Sequence, residues 1–504
     1  MNMILAIYAV AVSGLAIFGL HRLALLIAWS RVRDRGATRG SGGAVPRITV
    51  QLPIYNERFV ASRVILAAAR LDYPRDRLQI QVLDDSTDDT SYRLRRLCRR
   101  LVRVGLDVQY LHRERRQGFK AGALADGLHS ASGEFVALFD ADFVPPGDFL
   151  RRALVPFDDS GVGMVQARWG HLNREASLLT RLQAIFLDGH FLVEHIARSG
   201  HGRWFNFNGT AGIWRRTAIE AAGGWTADTL TEDLDLSYRA QMAGWRFAYI
   251  PELVSPAELP ATMNAFKTQQ HRWAKGSVQT ARKLLPTILG GGERWPIKLE
   301  AGFHLTNNLT WLLMTLPVLL WVPTLSARFD PDRQAMMLVA GAMAMTTVWA
   351  VTWHLVGQRA AGRSYAQILP EIPALLALGI GLSMNNARAV MEALLGHESA
   401  FERTPKTGNT LQRGRRYRMP AHWATWVELG LALYFAGGIV VAVRNERWIA
   451  LPFLALFLLG FLYVSLSSFG WRMDRMLLRG AQAAVASLLL VVLWSLGQLP
   501  GLPW

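Results

Sequence analysis

The chain has 504 residues, which is enough for two or three domains, and 51% of them are hydrophobic. Its mean hydropathy of +0.16 is high for a soluble protein, and long apolar runs lie at both ends of the chain. The formal net charge is +17, and many basic residues flank apolar runs, so anionic lipid is a better partner than nucleic acid. The single cysteine, Cys98, excludes an internal disulfide.

The first predicted element is a membrane-spanning helix over Met3–Trp29, which is long enough to cross roughly 30 Å of hydrocarbon. No Lys or Arg precedes it, so the basic start of a cleaved signal peptide is missing. Arg31, Arg33 and Arg35 follow it. The positive-inside rule therefore places the middle of the chain in the cytosol.

From residue 47 to about residue 170, short apolar runs alternate with helical stretches such as Glu57–Leu71 and Ser91–Val104. This pattern predicts a mostly parallel α/β sheet, in which ligands bind at the carboxyl ends of the strands. The predicted strands are Ile48–Ile54, Leu78–Leu83, Val108–Leu111, Glu134–Phe139 and Gly163–Trp169.

Polar clusters follow the first, second and fourth of these strands, which predicts one ligand site on a shared rim. They are Tyr55-Asn56-Glu57, Asp84-Asp85 and Asp140-Ala141-Asp142. The Asp-Ala-Asp pair can hold a hard divalent cation such as Mg²⁺ while substrate phosphates complete the coordination shell. A polar strand-to-loop turn is the purely structural alternative.

Asp85 can accept hydrogen bonds from a nucleotide base or a ribose hydroxyl, although the residues after it are also good helix caps. Lys120 lies between Gly118 and Gly122, which allow the backbone to come close to a ligand. Its ammonium could therefore meet a phosphate. A solvated surface lysine is the alternative.

Thr231, Glu232 and Asp233 precede an apolar helical pattern. Thr231 could cap that helix, and the two acids would complement the helix dipole. Alternatively, Asp233 is a general base that takes the proton from an acceptor hydroxyl as its oxygen attacks a sugar carbon.

The run Gln269-Gln270-His271-Arg272-Trp273 follows a helical stretch. Arg272 could bind a diphosphate, and the face of Trp273 could stack on a sugar ring. The alternative is an amphipathic helix that lies on a membrane. The arginine-rich stretch 93–103 could indicate nucleic-acid binding, but no nucleic-acid motif accompanies it. A solvated, membrane-proximal helix face is therefore the preferred interpretation.

Five further spans are predicted near residues 302–324, 335–357, 421–443, 448–469 and 481–498. The apolar segment 366–395 is interrupted by two prolines, two asparagines and Arg388. If it crossed, the basic stretch 402–418 would face outward against the positive-inside rule. We therefore expect an interfacial or re-entrant helix there and six spans in all, with seven as the rival count.

These motifs resemble those of the processive membrane glycosyltransferases of family 2, the cellulose-synthase superfamily. The plant cellulose-synthase-like A and C groups, which make mannan or glucomannan and the xyloglucan glucan backbone, are the most similar. The resemblance covers roughly residues 47–285. It rests on Gln51–Glu57, Gln81–Thr87, Gly118–Leu124, Phe139–Phe143, Val165–Trp169, Phe207–Trp214, Thr231–Asp235 and Gln269–Trp273.

The resemblance implies an α/β GT-A (Rossmann-like) cytosolic domain, inserted between transmembrane helices, that carries out an inverting transfer from a nucleotide diphosphate sugar. It assigns Asp140 and Asp142 to Mg²⁺ or Mn²⁺, and Asp233 to the base, with Glu232 and Thr231 beside it. The implied nucleotide-sugar ligands are Tyr55, Glu57, Asp85, Lys120, Asp140 and Arg272. The implied acceptor ligands are Gln269, Trp273, Phe207, Asn208 and Gly209.

The segment Phe401–Lys406 is similar to the gating loop of that family, although Arg403 replaces the usual valine and Pro405 stiffens it. The expected domains are a transmembrane helix at 1–30, the catalytic domain at 31–300 and a membrane region at 301–504. That last region would contain the interfacial helix 366–395 and a gating-like loop at 396–420.

The expected function is processive synthesis of a β-1,4-linked glycan, from UDP-glucose in preference to GDP-mannose, with export through a bacterial inner membrane. The expected partners are the sugar donor, the growing glycan, membrane lipid and periplasmic export partners, and not nucleic acid. One alternative is a transferase that adds one or a few sugars to a lipid. Another is a non-catalytic channel or scaffold that senses nucleotide.

Overall fold

The computed structural model describes residues 2–33, 45–326, 333–397, 406 and 422–495. Seven strands form one sheet in the order β3-β2-β1-β4-β6-β5-β7. Only β6 runs antiparallel to its neighbours, β4 and β5, among the described strands. The strands are β1 Ile48–Ile54, β2 Leu78–Asp84, β3 Asp107–His112, β4 Phe135–Leu138, β5 Val162–His171, β6 Gly212–Arg215 and β7 Arg246–Ala257.

The predicted mostly parallel α/β sheet is confirmed, and all five predicted strands are present. The first has the predicted bounds, and the ends of the others differ by one or two residues. The sequence did not predict β6 or β7. The predicted helix Glu57–Leu71 is shorter, Ala61–Ala68, and the predicted helix Ser91–Val104 is observed at Thr90–Arg103.

Helices cover both faces of the sheet because its strands alternate their apolar side chains between two cores. The helices in the first half of the chain are α1 Asn2–Val32, α2 Ala61–Ala68, α3 Thr90–Arg103, α4 Phe119–Ser130, α5 Phe149–Leu154, α6 Leu178–Gly189, α7 His195–Gly200, α8 Arg216–Ala221 and α9 Glu232–Met242. The first core joins β1 and β2 to α2, α3 and α5, and the second joins β4 to α4, α8 and α9. The sheet therefore has the buried middle layer that an α/β domain requires.

The second half of the described chain is helical. Its helices are α10 Met263–Gly290, α11 Trp295–Thr306, α12 Leu309–Ser326, α13 Arg333–Ala360, α14 Tyr365–Ile368, α15 Ile372–Leu394, α16 Ala424–Arg444, α17 Leu451–Ser468 and α18 Asp474–Ser495. In the described residues, four helical stretches are long and apolar enough to cross a membrane: Ala6–Val32, Tyr365–Leu394, Ala424–Arg444 and Trp448–Ser468. Helices α11 and α12, which meet at 53°, form a fifth if the bent pair is one span.

These helices support membrane association, whereas the count of six spans stays a prediction. Helix α13 contains the predicted span 335–357, and α18 overlaps the described part of the predicted span 481–498. The segment predicted to be interfacial is long and apolar enough to cross, but both of its ends bind the α/β domain. Glu371 accepts a hydrogen bond from Arg181 Nε in α6 at 2.9 Å, and Glu392 pairs with Lys275 Nζ in α10 at 3.0 Å.

Candidate active site

A cleft opens where the predicted rim was expected, at the carboxyl ends of β1, β2 and β4, and α9 and α10 close its other side. All but one of the predicted site residues line it. They are Tyr55, Glu57, Asp85, Lys120, Asp140, Asp142, Asn208, Gly209, Thr231, Glu232, Asp233, Gln269, Arg272 and Trp273. The shared location that the strand ends predicted is therefore observed.

Arginines surround the part of the cleft next to β1 and β2. Arg113 holds both carboxylate oxygens of Asp85, at 2.7 Å from Nε and 2.6 Å from a terminal nitrogen. The guanidinium of Arg116 lies 3.6 Å from the centre of the Tyr55 ring. The Tyr55 ring, with Arg116 against one face, offers a flat surface on which a nucleotide base can stack. The Asp85 carboxylate, held in place by Arg113, can accept hydrogen bonds from the base or the ribose.

The neighbouring acid, Asp84, has a structural role instead. Its side chain is fully buried and accepts hydrogen bonds from Tyr110 Oη at 2.6 Å and from the backbone N–H of Ser86 at 3.0 Å. In the Asp84-Asp85 pair, the structure thus brings only Asp85 to the cleft.

Lysines pair with both acids of the Asp-Ala-Asp motif. Lys120 Nζ lies 2.7 Å from Asp140 Oδ1, and Lys406 Nζ lies 2.8 Å from Asp142 Oδ2. Burial alone would lower the pKa of the Lys120 ammonium, but Asp140 and Glu232 outweigh that effect and raise the pKa above its usual value. With its side chain 16% exposed, Lys120 is a largely buried cation that faces the site and not a solvated surface lysine.

Lys406 belongs to the segment that is similar to a gating loop, and its ammonium also donates to the backbone carbonyl of Glu258 at 2.8 Å. The rest of Phe401–Lys406 lies outside the described residues. The contact brings a cation from the distant C-terminal half of the chain to Asp142. This residue was not among the predicted site residues.

Asp140 and Asp142 fit a hard divalent cation by their chemistry, since both present carboxylate oxygens to the cleft. Within the described part of the chain, no group of three or more His, Cys, Asp or Glu side chains is placed to hold a metal. A cation bound here would therefore need phosphate oxygens from a substrate to complete its coordination. That arrangement is typical of Mg²⁺ in nucleotide sites.

Asp233 is the carboxyl group in the cleft whose pKa is raised towards neutral pH. Burial and the negative charge of Glu232 raise the pKa of its carboxyl to about 7, against the opposing effect of Lys120. The carboxylate accepts one hydrogen bond from the backbone N–H of Leu234 at 2.9 Å. Thr231 precedes α9 but makes no side-chain cap, so the capping alternative fails for this hydroxyl.

Helix α10 brings Arg272 and Trp273 to the cleft. Burial lowers the pKa of the Arg272 guanidinium, and Glu232, Asp140 and Asp233 act in the opposite direction as its anionic neighbours. Such a cation is placed to meet a diphosphate. The ring of Trp273 lies 6.5 Å from that of Trp169, centre to centre, so two indoles border this side of the cleft.

Residues 207–211, which we call the cleft loop, connect the site to the sheet. Phe207 is the one predicted site residue that does not reach the cleft. Its side chain is fully buried, with the ring edge packed against Trp214 at 5.7 Å between centres. The apolar ring extends the core below β6 and cannot contact an acceptor there. Asn208 and Gly209 do line the cleft.

Four further residues at or beside the cleft were not predicted as site residues: Arg113, Arg116, Trp169 and Lys406. The two arginines follow β3, directly before the glycine-flanked Lys120, so their position at a strand end was a usable signal. Trp169 ends a motif that the resemblance already included. No local pattern places Lys406 against Asp142, since 264 positions separate them.

The sequence model of the family "Glycosyltransferase like family 2" matches residues 46–276, which contain the sheet and most of the cleft. Residues 46–276 are a family 2 glycosyltransferase domain. The predicted membership of family 2 and the predicted kind of enzyme, a glycosyltransferase, are thus confirmed for this domain.

Two curated plant relatives are similar to the glycosyltransferase domain. Glucomannan 4-beta-mannosyltransferase 1 from Oryza sativa subsp. japonica is 45% identical over 252 residues, which are 49% of this chain and 48% of the relative. Glucomannan 4-beta-mannosyltransferase 2 from Arabidopsis thaliana is 47% identical over 250 residues, which are 48% and 47% of the two chains. The matched region thus spans about half the length of these relatives.

A solved structure has a similar fold. The mannosyltransferase PcManGT from Pyrobaculum calidifontis, in complex with GDP-Man and Mn²⁺, aligns with a TM-score of 0.56 and 23% sequence identity. The alignment covers 78% of this chain and 100% of that chain. The likeness confirms a GT-A-like α/β glycosyltransferase fold with a mixed sheet.

Proposed function

We propose that the protein transfers a hexose from a nucleoside diphosphate sugar to the end of a β-linked glycan, with inversion at the sugar carbon. The observation that carries the proposal is the meeting of a raised-pKa carboxyl and a set of cations in one cleft. Asp233 is the carboxyl, and Lys120, Arg272 and Lys406 are the cations.

In the proposed reaction, Asp233 accepts the proton from an acceptor hydroxyl. The hydroxyl oxygen forms a bond to the sugar carbon while the bond from that carbon to the diphosphate oxygen breaks. The electron pair of the broken bond leaves with the nucleoside diphosphate, whose charge Lys120 and Arg272 neutralise. A base within hydrogen-bond reach and fixed cations for the leaving group are what this chemistry requires.

Asp140 and Asp142 are the residues that would hold a divalent cation, which would supply further charge neutralisation on the diphosphate. Two protein carboxylates leave coordination positions for phosphate oxygens. The complex of PcManGT with GDP-Man and Mn²⁺ supports Mn²⁺ as well as Mg²⁺ as the first cations to test.

The names of the plant relatives support mannose as the transferred sugar, because both are glucomannan 4-beta-mannosyltransferases. PcManGT, with its bound GDP-Man, supports the same donor. We therefore place GDP-mannose ahead of UDP-glucose, which reverses the order that the sequence suggested. The nucleotide end of the cleft, with Tyr55, Asp85 and Arg116, is where the two bases would be distinguished.

Processive synthesis and export are the further part of the proposal. They are supported by the aromatic border of the cleft at Trp169 and Trp273 and by the apolar helices packed beside α10. A polymer that stays bound at the two indoles could be extended repeatedly before release. The growing end would stay in the cleft, and the membrane helices would give the older end of the polymer a way across the bilayer.

The test is turnover of the purified, detergent-solubilised full chain with radiolabelled GDP-mannose, UDP-glucose and other nucleotide sugars, in Mn²⁺ or Mg²⁺. We expect a polymer from GDP-mannose that a β-mannanase degrades. Polymer from UDP-glucose that only a β-glucanase degrades would keep the mechanism and reverse the donor. A labelled glycolipid with no polymer would replace the glycan acceptor by a lipid, and no transfer from any donor would refute the proposal.

A further inference from the structure

The cleft loop makes hydrogen bonds to two groups of the proposed site, Lys120 and Asp140, and lies close to a third, Asp233. The carbonyl of Gly209 accepts a hydrogen bond from Lys120 Nζ at 2.9 Å, and Thr210 Oγ1 accepts one from the backbone N–H of Asp140 at 2.9 Å. Gly209 has φ +80°, and a Cβ added there would lie 2.8 Å from Asp233 Oδ2. A shift of this loop would therefore move the lysine, the metal-binding acid and the base together.

The side chain of Asn208 anchors the loop between two imidazoles. Asn208 Nδ2 lies 2.9 Å from His190 Nε2, and Asn208 Oδ1 lies 2.6 Å from His195 Nε2. Its backbone N–H donates to Gln166 Oε1 at 2.9 Å. Both ends of the amide thus make contacts within the protein, so the Asn208 side chain anchors the cleft loop.

The hydrogen bonds fix the tautomers of both histidines. An amide nitrogen can only donate, so His190 Nε2 must accept, and the proton of His190 lies on Nδ1, which is 2.7 Å from Glu194 Oε2. An amide oxygen can only accept, so His195 Nε2 must carry a proton. Burial and the nearby His190 lower the pKa of His195, which leaves this imidazole neutral with its proton towards Asn208.

A break in helical regularity brings the two imidazoles together. The stretch His190–Glu194 is one turn of π-helix between α6 and α7. Residues five apart lie on different faces of an α-helix, but a π turn closes its hydrogen bonds at that spacing and aligns them. As a result the rings of His190 and His195 lie 4.3 Å apart, centre to centre, and both reach Asn208.

We infer that His190 and His195 are positioning residues for the transfer reaction, and that they act by clamping Asn208 so that the cleft loop holds Lys120, Asp140 and Asp233 in place. The inference rests on the proposed function for its catalytic consequence. The clamp itself rests on the contacts of the amide. Neither histidine lines the cleft, whereas Asn208 does. We therefore expect a substitution of either histidine to lower activity indirectly, by displacing Asn208.

The experiment compares His195→Leu, which removes the donor, with His195→Gln, whose amide can donate to the same oxygen. We expect His195→Leu to lower kcat by about 10- to 100-fold, as for a misplaced catalytic group, and to change the donor KM by less than about threefold. His195→Gln should restore most of the rate. His201→Gln, at the exposed end of α7 and away from Asn208, is the matched control and should behave as wild type.

A double-mutant cycle with Asn208→Ala separates the clamp from general damage, because two changes that break one contact should not add. Wild-type kcat in His195→Leu, or additive losses in the double variant, would overturn the inference. If the wild-type protein transfers no sugar, the proposed function fails instead. The unfolding midpoints of the wild type, His195→Leu, Asn208→Ala and the double variant then test the clamp. Additive shifts of the midpoint would overturn the inference that His195 acts through Asn208.

Discussion

At the scale of single residues, the exchange Asp233→Asn tests the base most directly. It keeps the shape of the side chain and removes the charge that accepts the proton. We expect kcat to fall by roughly 10²- to 10⁴-fold, the usual contribution of a general base. Donor binding should persist because Lys120, Arg272 and Asp140 are unchanged. Initial rates of sugar transfer at saturating donor measure the effect.

Asp228→Asn is the matched control for that exchange. Asp228 is exposed, pairs with Lys283 at 2.7 Å and does not line the cleft, so its loss should leave kcat near the wild-type value. An Asp233→Asn protein that turns over as fast as this control would remove Asp233 from the role of base.

The pKa of Asp233 predicts a pH profile with a definite sign. A base with a pKa raised to about 7 is protonated, and therefore inactive, at lower pH. We expect kcat/KM to rise tenfold per pH unit up to about pH 7 and to level off above it. Because the charge of Glu232 helps to raise that pKa, Glu232→Gln should move the rising limb to lower pH. A flat profile from pH 5 to 8 would contradict the assignment.

A sequence can predict a site residue when nearby residues, such as the end of an apolar strand, indicate its position. Asp85, Asp140 and Asp142 follow apolar strands, so the carboxyl-end rule placed them together without a structure. The partners of Asn208 were not predictable in this way. The rings of His190 and His195 come together only because of a π turn. A single irregular turn does not change the spacing of hydrophobic residues in the sequence, so it cannot be predicted from that spacing.

At the scale of helices, the crossing of α9 and α10 depends on Gly276. A Cβ at this position would lie 2.5 Å from Thr231 Cγ2 and 2.9 Å from the backbone nitrogen of Thr231. Gly276→Ala should therefore push α10 away from the start of α9. We expect a loss of roughly 1–3 kcal/mol in the free energy of unfolding, as for other overpacked sites, together with a lower kcat.

Gly290→Ala controls for the helix propensity that alanine adds. Gly290 belongs to the same helix, and nothing lies within 4 Å of a Cβ built there. Thermal unfolding in detergent and transfer rates of the two variants give the comparison. Equal stability and equal rates would show that the close approach at Thr231 is not needed.

The strands show a second limit of sequence-based prediction. Strand β6 has four residues, Gly212–Arg215, too few for an alternating pattern to emerge. Strand β7 contains Pro251 and Pro256, which argue against a strand, but it lies at the edge of the sheet, where proline is tolerated. Strand β6 was therefore missed because it is short, and β7 because its place at the edge of the sheet is a tertiary property.

At the scale of the whole molecule, the contacts of α15 bear on how the chain enters the membrane. Helix α15 has 23 residues and is therefore about 34 Å long. Arg181 binds the carboxylate of Glu371 at its start, and Lys275 binds that of Glu392 at its end. Both cations belong to the glycosyltransferase domain. A helix held at both ends by one domain lies along that domain, which supports the interfacial placement over a seventh span.

Cysteine labelling tests this placement. We expect Ala366→Cys and Leu395→Cys, exposed near the two ends of α15, to react with a membrane-impermeant maleimide from the same face as Val102→Cys in α3. Asn445→Cys lies in the short connection between the apolar helices α16 and α17, each long enough to cross a membrane, and should react only from the opposite face.

The native thiol gives this experiment a low background. Cys98 is buried, and burial raises the pKa of its thiol to about 12, so the reactive thiolate is scarce at neutral pH. Labelling of Ala366→Cys and Leu395→Cys from opposite faces would mean that α15 crosses the bilayer. The ion pair between Lys406 and Asp142 would then keep the Leu395 end of α15 on the side of the glycosyltransferase domain. The other end would lie across the bilayer, so the contact between Arg181 and Glu371 would have to break. Labelling of both cysteines from one face would agree with the structure, in which the Lys406–Asp142 and Arg181–Glu371 contacts are both formed.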